Sequence, residues 1–210
     1  MKRTVIAASL ALALAAGLSF PAVAEDAKPV AAPARAAAPA PAAELAQLKY
    51  MAGSWSCSGK AEETPMGPAH ATAGKASIRL DVGGFWYAVR YEETKTKENP
   101  TPVRVGGFWG YDAFQKKFVA GSVDSTGGFA NQASPGWEED RLVFVGDMMG
   151  MGPNKVPARD TFTKKGANEL THVFELSMVE GHWTKVVEET CKRAGAAPAA
   201  KSADAAPAKP

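Results

Sequence analysis

The stretch "ELTHVFELSMV" (169–179) sets a histidine among large apolar side chains, where an imidazole can ligate, orient a ligand or move a proton. With a period of two, Leu170, His172, Phe174, Leu176 and Met178 share one face, and Thr171, Val173, Glu175, Ser177 and Val179 share the other. His172 therefore faces either a ligand or a hydrogen-bond partner in a core, the second being the ordinary fate of a buried imidazole. Methionines form a second group: Met148, Met149 and Met151 in "GDMMGMGPNK" (146–155), with Met66 near His70 in "TPMGPAH" (64–70). Thioethers are soft ligands that suit Cu(I). The simpler reading of 146–155 is a glycine-rich, flexible lid between two strands.

Other chemistries find less support. Ser54, Ser56 and Ser58 share a strand face, but no base lies near them in sequence and no G-x-S-x-G elbow is present. The paired carboxylates of "WEED" (137–140) and "VEET" (187–190) are adjacent in strands, so each pair points to opposite faces and makes a poor acid–base dyad. Cys57 and Cys191 have no zinc-motif spacing, and the glycine-rich stretches follow turns rather than leading from strand to helix. No catalytic residue, metal site or cofactor is expected on these grounds. The aromatic residues remain. Tyr87, Tyr91, Trp109, His172, Phe174 and Met178 would wall a pocket for a small, mostly apolar molecule, with the Tyr hydroxyls and His172 orienting its polar end. The competing reading is that these rings simply fill a core.

The elements that must position them are strands. Runs rich in Val, Phe, Tyr, Trp and Thr, broken by Gly, Pro, Asn and Asp, predict ten: about 54–62, 70–82, 84–94, 103–112, 116–124, 128–133, 138–146, 156–164, 169–179 and 182–192. "TPMGP" (64–68), "ENPTP" (98–102), "STGG" (125–128) and "KKGAN" (164–168) supply the reversals. A short helix is expected within 42–53, where Leu45 and Leu48 stand three apart. The fold class is all-β: ten strands joined by short links form an up-and-down antiparallel meander, which avoids exposed edges by closing into a barrel.

The ends fix compartment and boundaries. Residues 1–24 carry a basic start (Lys2, Arg3), an apolar run and the cleavage motif Ala22-Val23-Ala24, and read as a signal peptide. The expected organisation is signal peptide 1–24, Ala/Pro-rich linker 25–43, barrel domain 44–193 and Ala/Pro-rich disordered tail 194–210. The mature protein is expected in the periplasm or the medium, as a monomer that does not span a membrane. The full sequence has 24 basic side chains against 22 acidic ones; cleavage removes Lys2 and Arg3, so the mature chain is near neutral and nucleic acid is a poor partner. Export also supplies an oxidising setting. In a closed meander the first and last strands are neighbours, so Cys57 and Cys191 are expected to form a disulfide.

"MAGSWSCSGK" (51–60), "GGFWYAVRYEE" (83–93), "GGFWGYDAFQKKFVAGSVDSTGG" (106–128), "RDTFTKKG" (159–166) and "GHWTKVVEETCKR" (181–193) together resemble a bacterial domain-of-unknown-function family of lipocalin-like, or calycin, barrels. The resemblance covers most of the domain and is most specific at Gly-Tyr-Asp, Lys-Phe-Val and Asp-Ser. It implies a small barrel with a cavity, in which Trp55 of the Gly-x-Trp motif plugs the closed end, and it brings no established activity. The same motif more distantly resembles nitrobindin-like barrels, which implies the alternative of a haem held by His172 for redox chemistry. A third alternative is a structural or envelope-interaction module with a solid barrel.

Overall fold

In the computed structural model of the protein, residues 39–195 are described, apart from Met66 and Met151. The expected signal peptide, most of the linker, nearly all of the tail and one of the clustered methionines lie outside the described residues. Strands β1 (Gly53–Ala61), β2 (His70–Asp81), β3 (Trp86–Glu93), β4 (Arg104–Asp112), β5 (Lys117–Asp124) and β6 (Phe129–Ser134) run as an antiparallel meander. A two-residue strand, β7 (Trp137–Glu138), precedes β8 (Arg141–Met149), β9 (Val156–Gly166), β10 (Glu169–Val179) and β11 (His182–Arg193). β11 pairs back onto β1, and β6 pairs with β8, so ten strands close a ring while β7 is a spur on β8. Among the described residues no helix is long and apolar enough to cross a membrane.

The short N-terminal helix stands within its expected span as a 3-10 helix, Ala43–Tyr50, that buries Leu45 and Leu48. The seventh strand begins and ends three residues later than expected, since Gly136 (φ 114°) and Glu139 (φ 53°) build a tight turn around the spur. β8 thus extends through Met148 and Met149, opposite Ala130 and Phe129 of β6. The lid expected at 146–155 is therefore wall for its first four residues. Met148 is buried there as a core side chain.

The signature motifs are explained by the turns they build. The Asp112 carboxylate accepts the N–H of Phe114 and of Gln115 at 2.9 and 3.0 Å, which staples the β4–β5 hairpin. The Gln115 N–H, then that of Phe114, holds the Asp112 carboxyl below its ordinary range. Asp124 does the same for β5–β6, accepting from the N–H of Thr126 (2.7 Å) and Gly128 (3.1 Å).

The ring curls tightly where it closes on β8. A Cβ on Gly146 would lie 2.0 Å from the Asn131 carbonyl oxygen and 2.7 Å from the Gln132 Cα, both backbone of β6. Gly146→Ala must therefore part the β6–β8 seam. We expect a loss of about 3 kcal/mol in chemical denaturation, at the upper end of overpacking costs.

Inside, two apolar clusters sit at different levels. The larger gathers the helix residues Leu45 and Leu48 with Met51, Trp55, Trp109, Phe118, Leu142, Phe144 and Leu170. The smaller holds Ala130, Met148, Ala158, Leu176 and Val186.

Candidate functional site

The inward positions between the two clusters are polar. Along β9 the order is Ala158, Asp160, Phe162; along β10 Leu170, His172, Phe174, Leu176; along β11 Val187, Glu189, Cys191. Because strand side chains alternate, Asp160 and Glu189 share a face with the apolar residues two places on either side. Register then assembles them, since His172 stands opposite Glu189 on one side and Phe162 on the other.

The contacts fall into separate polar sets. His172 Nε2 lies 2.7 Å from Asp160 Oδ1, and the Gln132 side-chain amide donates to Asp160 Oδ2 at 2.7 Å. The imidazole stacks on Phe162, with ring centroids 4.6 Å apart and planes 10° apart. Across the barrel Tyr91 donates its hydroxyl to Glu189 Oε1 at 2.7 Å. It reaches there over Gly74, where a Cβ would come within 2.7 Å of the phenol ring. Burial, reinforced by the Glu189 and Glu93 carboxylates, raises the Tyr91 phenol far above its ordinary range, so it remains a donor. Above it, Glu93 meets His70 Nε2 at 3.3 Å and accepts the Val103 N–H at 3.1 Å.

Access is uneven. The side chains of His172 and Asp160 are each 21% exposed, so water reaches this end of the belt. Glu189, by contrast, is 3% exposed. Thr72, inward on β2 and separated from Glu189 by Gly59 of β1, has a buried hydroxyl with no hydrogen-bond partner. An unpaired buried hydroxyl costs about 1–3 kcal/mol. Thr72→Val, which keeps the shape and removes the group, is expected to raise stability by about 1 kcal/mol in urea unfolding.

Of the residues the sequence singles out, the belt takes Tyr91, His172 and Phe174. Trp109 is buried in the larger cluster, stacked on Phe144 at 5.6 Å and edge-on to Phe162 at 5.3 Å, so it forms the belt's apolar underside. Tyr87 is buried beside it. Met178 is not brought to this group. The β10–β11 register slips between Leu176 and Val179, and Met178 ends 42% exposed. Cys57 and Cys191 are bonded, with sulfurs 2.05 Å apart, and Trp55 is buried in the same apolar cluster. Sequence reading passed over Asp160, Glu189 and Gln132. For the first two the signal was a carboxylate at the parity of its apolar neighbours.

The outer wall carries a depression as well, an open groove of about 1110 Å³ whose lining includes Ala88, Arg90, Phe108, Gly121, Val123 and Val145. Its lining also includes Gln132, the residue that donates to Asp160 in the belt.

The model of a family described as protein of unknown function (DUF1579) matches residues 40–193. The crystal structure of Rv2717c from M. tuberculosis superposes with a TM-score of 0.58, covering 73% of this chain and 99% of that one at 13% identity. That likeness is one of fold. No curated protein matches the sequence.

Proposed function

Since the chain belongs to the DUF1579 family, whose description assigns no activity, its role is to be read from its own barrel, and we propose that it binds a small molecule there without transforming it. The observation that supports this is the polar belt between two apolar clusters. A core meant only for stability gains nothing from a buried carboxylate, and such groups are costly to hold unless they are paired. Side chains that are half-buried and partly reachable by water, with Phe162 and Phe174 beside them, suit a ligand with an apolar body and one polar end. His172, Asp160 and Gln132 would orient that end, while Trp109 and Phe144 would underlie the body.

Catalysis is a weaker reading of the same residues. The His172–Asp160 pair has the form of a base and its orienting group, but no nucleophilic side chain contacts it among the described residues. The haem alternative fits poorly: Nε2 of His172 is held by Asp160 and the ring lies flat on Phe162, so an iron would have to displace that carboxylate. Export accords with the disulfide and with the sequence of residues 1–24, and the mature protein is proposed to work in the periplasm or outside the cell.

Native mass spectrometry of protein purified from its own envelope tests the binding reading. A non-covalent adduct of a few hundred daltons, lost when Phe174 is replaced by Arg, is the expected result. A clean apo mass in every preparation, with no adduct after incubation with an envelope extract, would remove it.

A further inference from the structure

One carboxylate of the belt has no basic side chain against it. Asp160 is met by His172 and Gln132, and Glu93 by His70 and the Val103 N–H. Glu189 is the most buried side chain of the three, yet its single donor is the Tyr91 hydroxyl, and no cationic side chain pairs with it among the described residues. A carboxylate offers about four acceptor positions, so several remain open. The inward cations, Arg193 and Lys164, are at the plugged end and are engaged by Trp55, Tyr50 and Trp137.

A second, independent orphan lies beside it. Thr72 stands on the inward face two strands from Glu189, and the position between them is Gly59, over which the Glu188–Glu189 backbone packs closely. Its hydroxyl is buried without a partner. A carboxylate lacking a cation and a buried hydroxyl lacking a partner, at inward positions two strands apart, ask for one group that is positively charged and rich in N–H donors.

A metal ion is the poorer candidate. Among the described residues, the group of potential ligand atoms close enough together is Glu189 with Cys57 and Cys191, and both sulfurs are spent on each other. A bonded disulfide offers no thiolate. Resting on the barrel-binding reading above, we infer that the ligand is an organic cation, a protonated primary amine on an apolar body, whose ammonium group seats between Glu189 and Thr72. Its N–H groups would donate to the free carboxylate positions and to the Thr72 oxygen, while the tail would run toward Phe162 and Phe174.

Three molecules of equal length separate the possibilities: hexylamine (an ammonium ion at neutral pH), hexanol and hexanoate, each titrated calorimetrically into the wild-type protein, Glu189→Gln and Thr72→Val. The amine is expected to bind wild type at least tenfold more tightly than the alcohol, with hexanoate weakest. Glu189→Gln should abolish the amine's advantage while changing the alcohol far less, and Thr72→Val should weaken the amine severalfold. If amine and alcohol bind equally to wild type, the cation inference is overturned and barrel binding stands. If none of the three binds, both fall. The comparison of ligands on wild type decides the matter even where Glu189→Gln folds badly.

Discussion

Reducing the Cys57–Cys191 bond is expected to lower the stability of the barrel by about 4–5 kcal/mol. The bond closes 134 residues, nearly the whole folded chain. On the chain-entropy view, a loop of that length restrains the unfolded ensemble by about 5 kcal/mol, at the top of the usual range for a native disulfide. The native side of the balance changes little, because Cys57 and Cys191 are direct register partners within a β1–β11 seam that pairs from Trp55↔Arg193 to Ala61↔Val187. The seam's ladder therefore survives reduction, and the effect should act mainly through the unfolded state. Urea unfolding with and without reductant measures it. The reduced protein should show a lower midpoint and a steeper denaturant dependence, since its unfolded chain exposes more surface. A double Cys→Ala variant should fall somewhat further, by the two small cavities it leaves in the buried cluster. A loss below about 1 kcal/mol would show that the loop is already constrained when unfolded, and would set the entropic account aside.

Much of this architecture is legible in the residues, and the gaps have identifiable causes. Ten runs of alternating apolar residues with turn residues between them are enough for a closed meander, and the positions of two cysteines are enough for its seam. His172 declares itself by standing in an apolar row. Asp160 and Glu189 carry the same signal, at two residues from Phe162 and from Cys191, yet their neighbours disguise it. Glu189 sits in "VEET", where Glu188 points outward to Lys185 and the pair looks like an ordinary solvated strand end. Gln132 reaches Asp160 from β6 across Gly146, a contact made by the closure of the ring and invisible in either segment alone. Met178 fails for the opposite reason. Alternation places it with Leu176, but the irregular pairing before the Glu180-Gly181 turn ends the period of two there. Period-two reading is thus reliable until a bulge, and a bulge is set by how strands must curl.

Replacing Arg193 by Ala is expected to destabilise the protein by about 3 kcal/mol, and Trp55→Ala by about 4 kcal/mol, because together they seal the floor of the barrel. The guanidinium lies 4.2 Å above the Trp55 ring centroid and donates to the carbonyls of Ala52 and Tyr50, at 2.5 and 2.8 Å. The Trp55 indole N–H in turn donates to the Met51 carbonyl at 2.9 Å. The two side chains thus tie the end of the 3-10 helix to the first and last strands, and the glycine of Gly-x-Trp has its reason there. Gly53 has φ 127°, and a Cβ on it would stand 2.6 Å from the Arg193 guanidinium. Losing the arginine removes two charge-assisted hydrogen bonds of about 1.5–3 kcal/mol each, partly recovered by water at the rim. Losing the tryptophan leaves a cavity under Leu48 and Met51, with the usual cost of about 3–5 kcal/mol for a large aromatic. The double variant discriminates between a shared device and two separate ones. A stacked cation and ring should give a coupling of about 1–2 kcal/mol, so the double loss should fall short of the sum of the single losses. Strict additivity in urea unfolding would mean that the arginine acts through the carbonyls alone, and that the ring beneath it serves only to fill the floor.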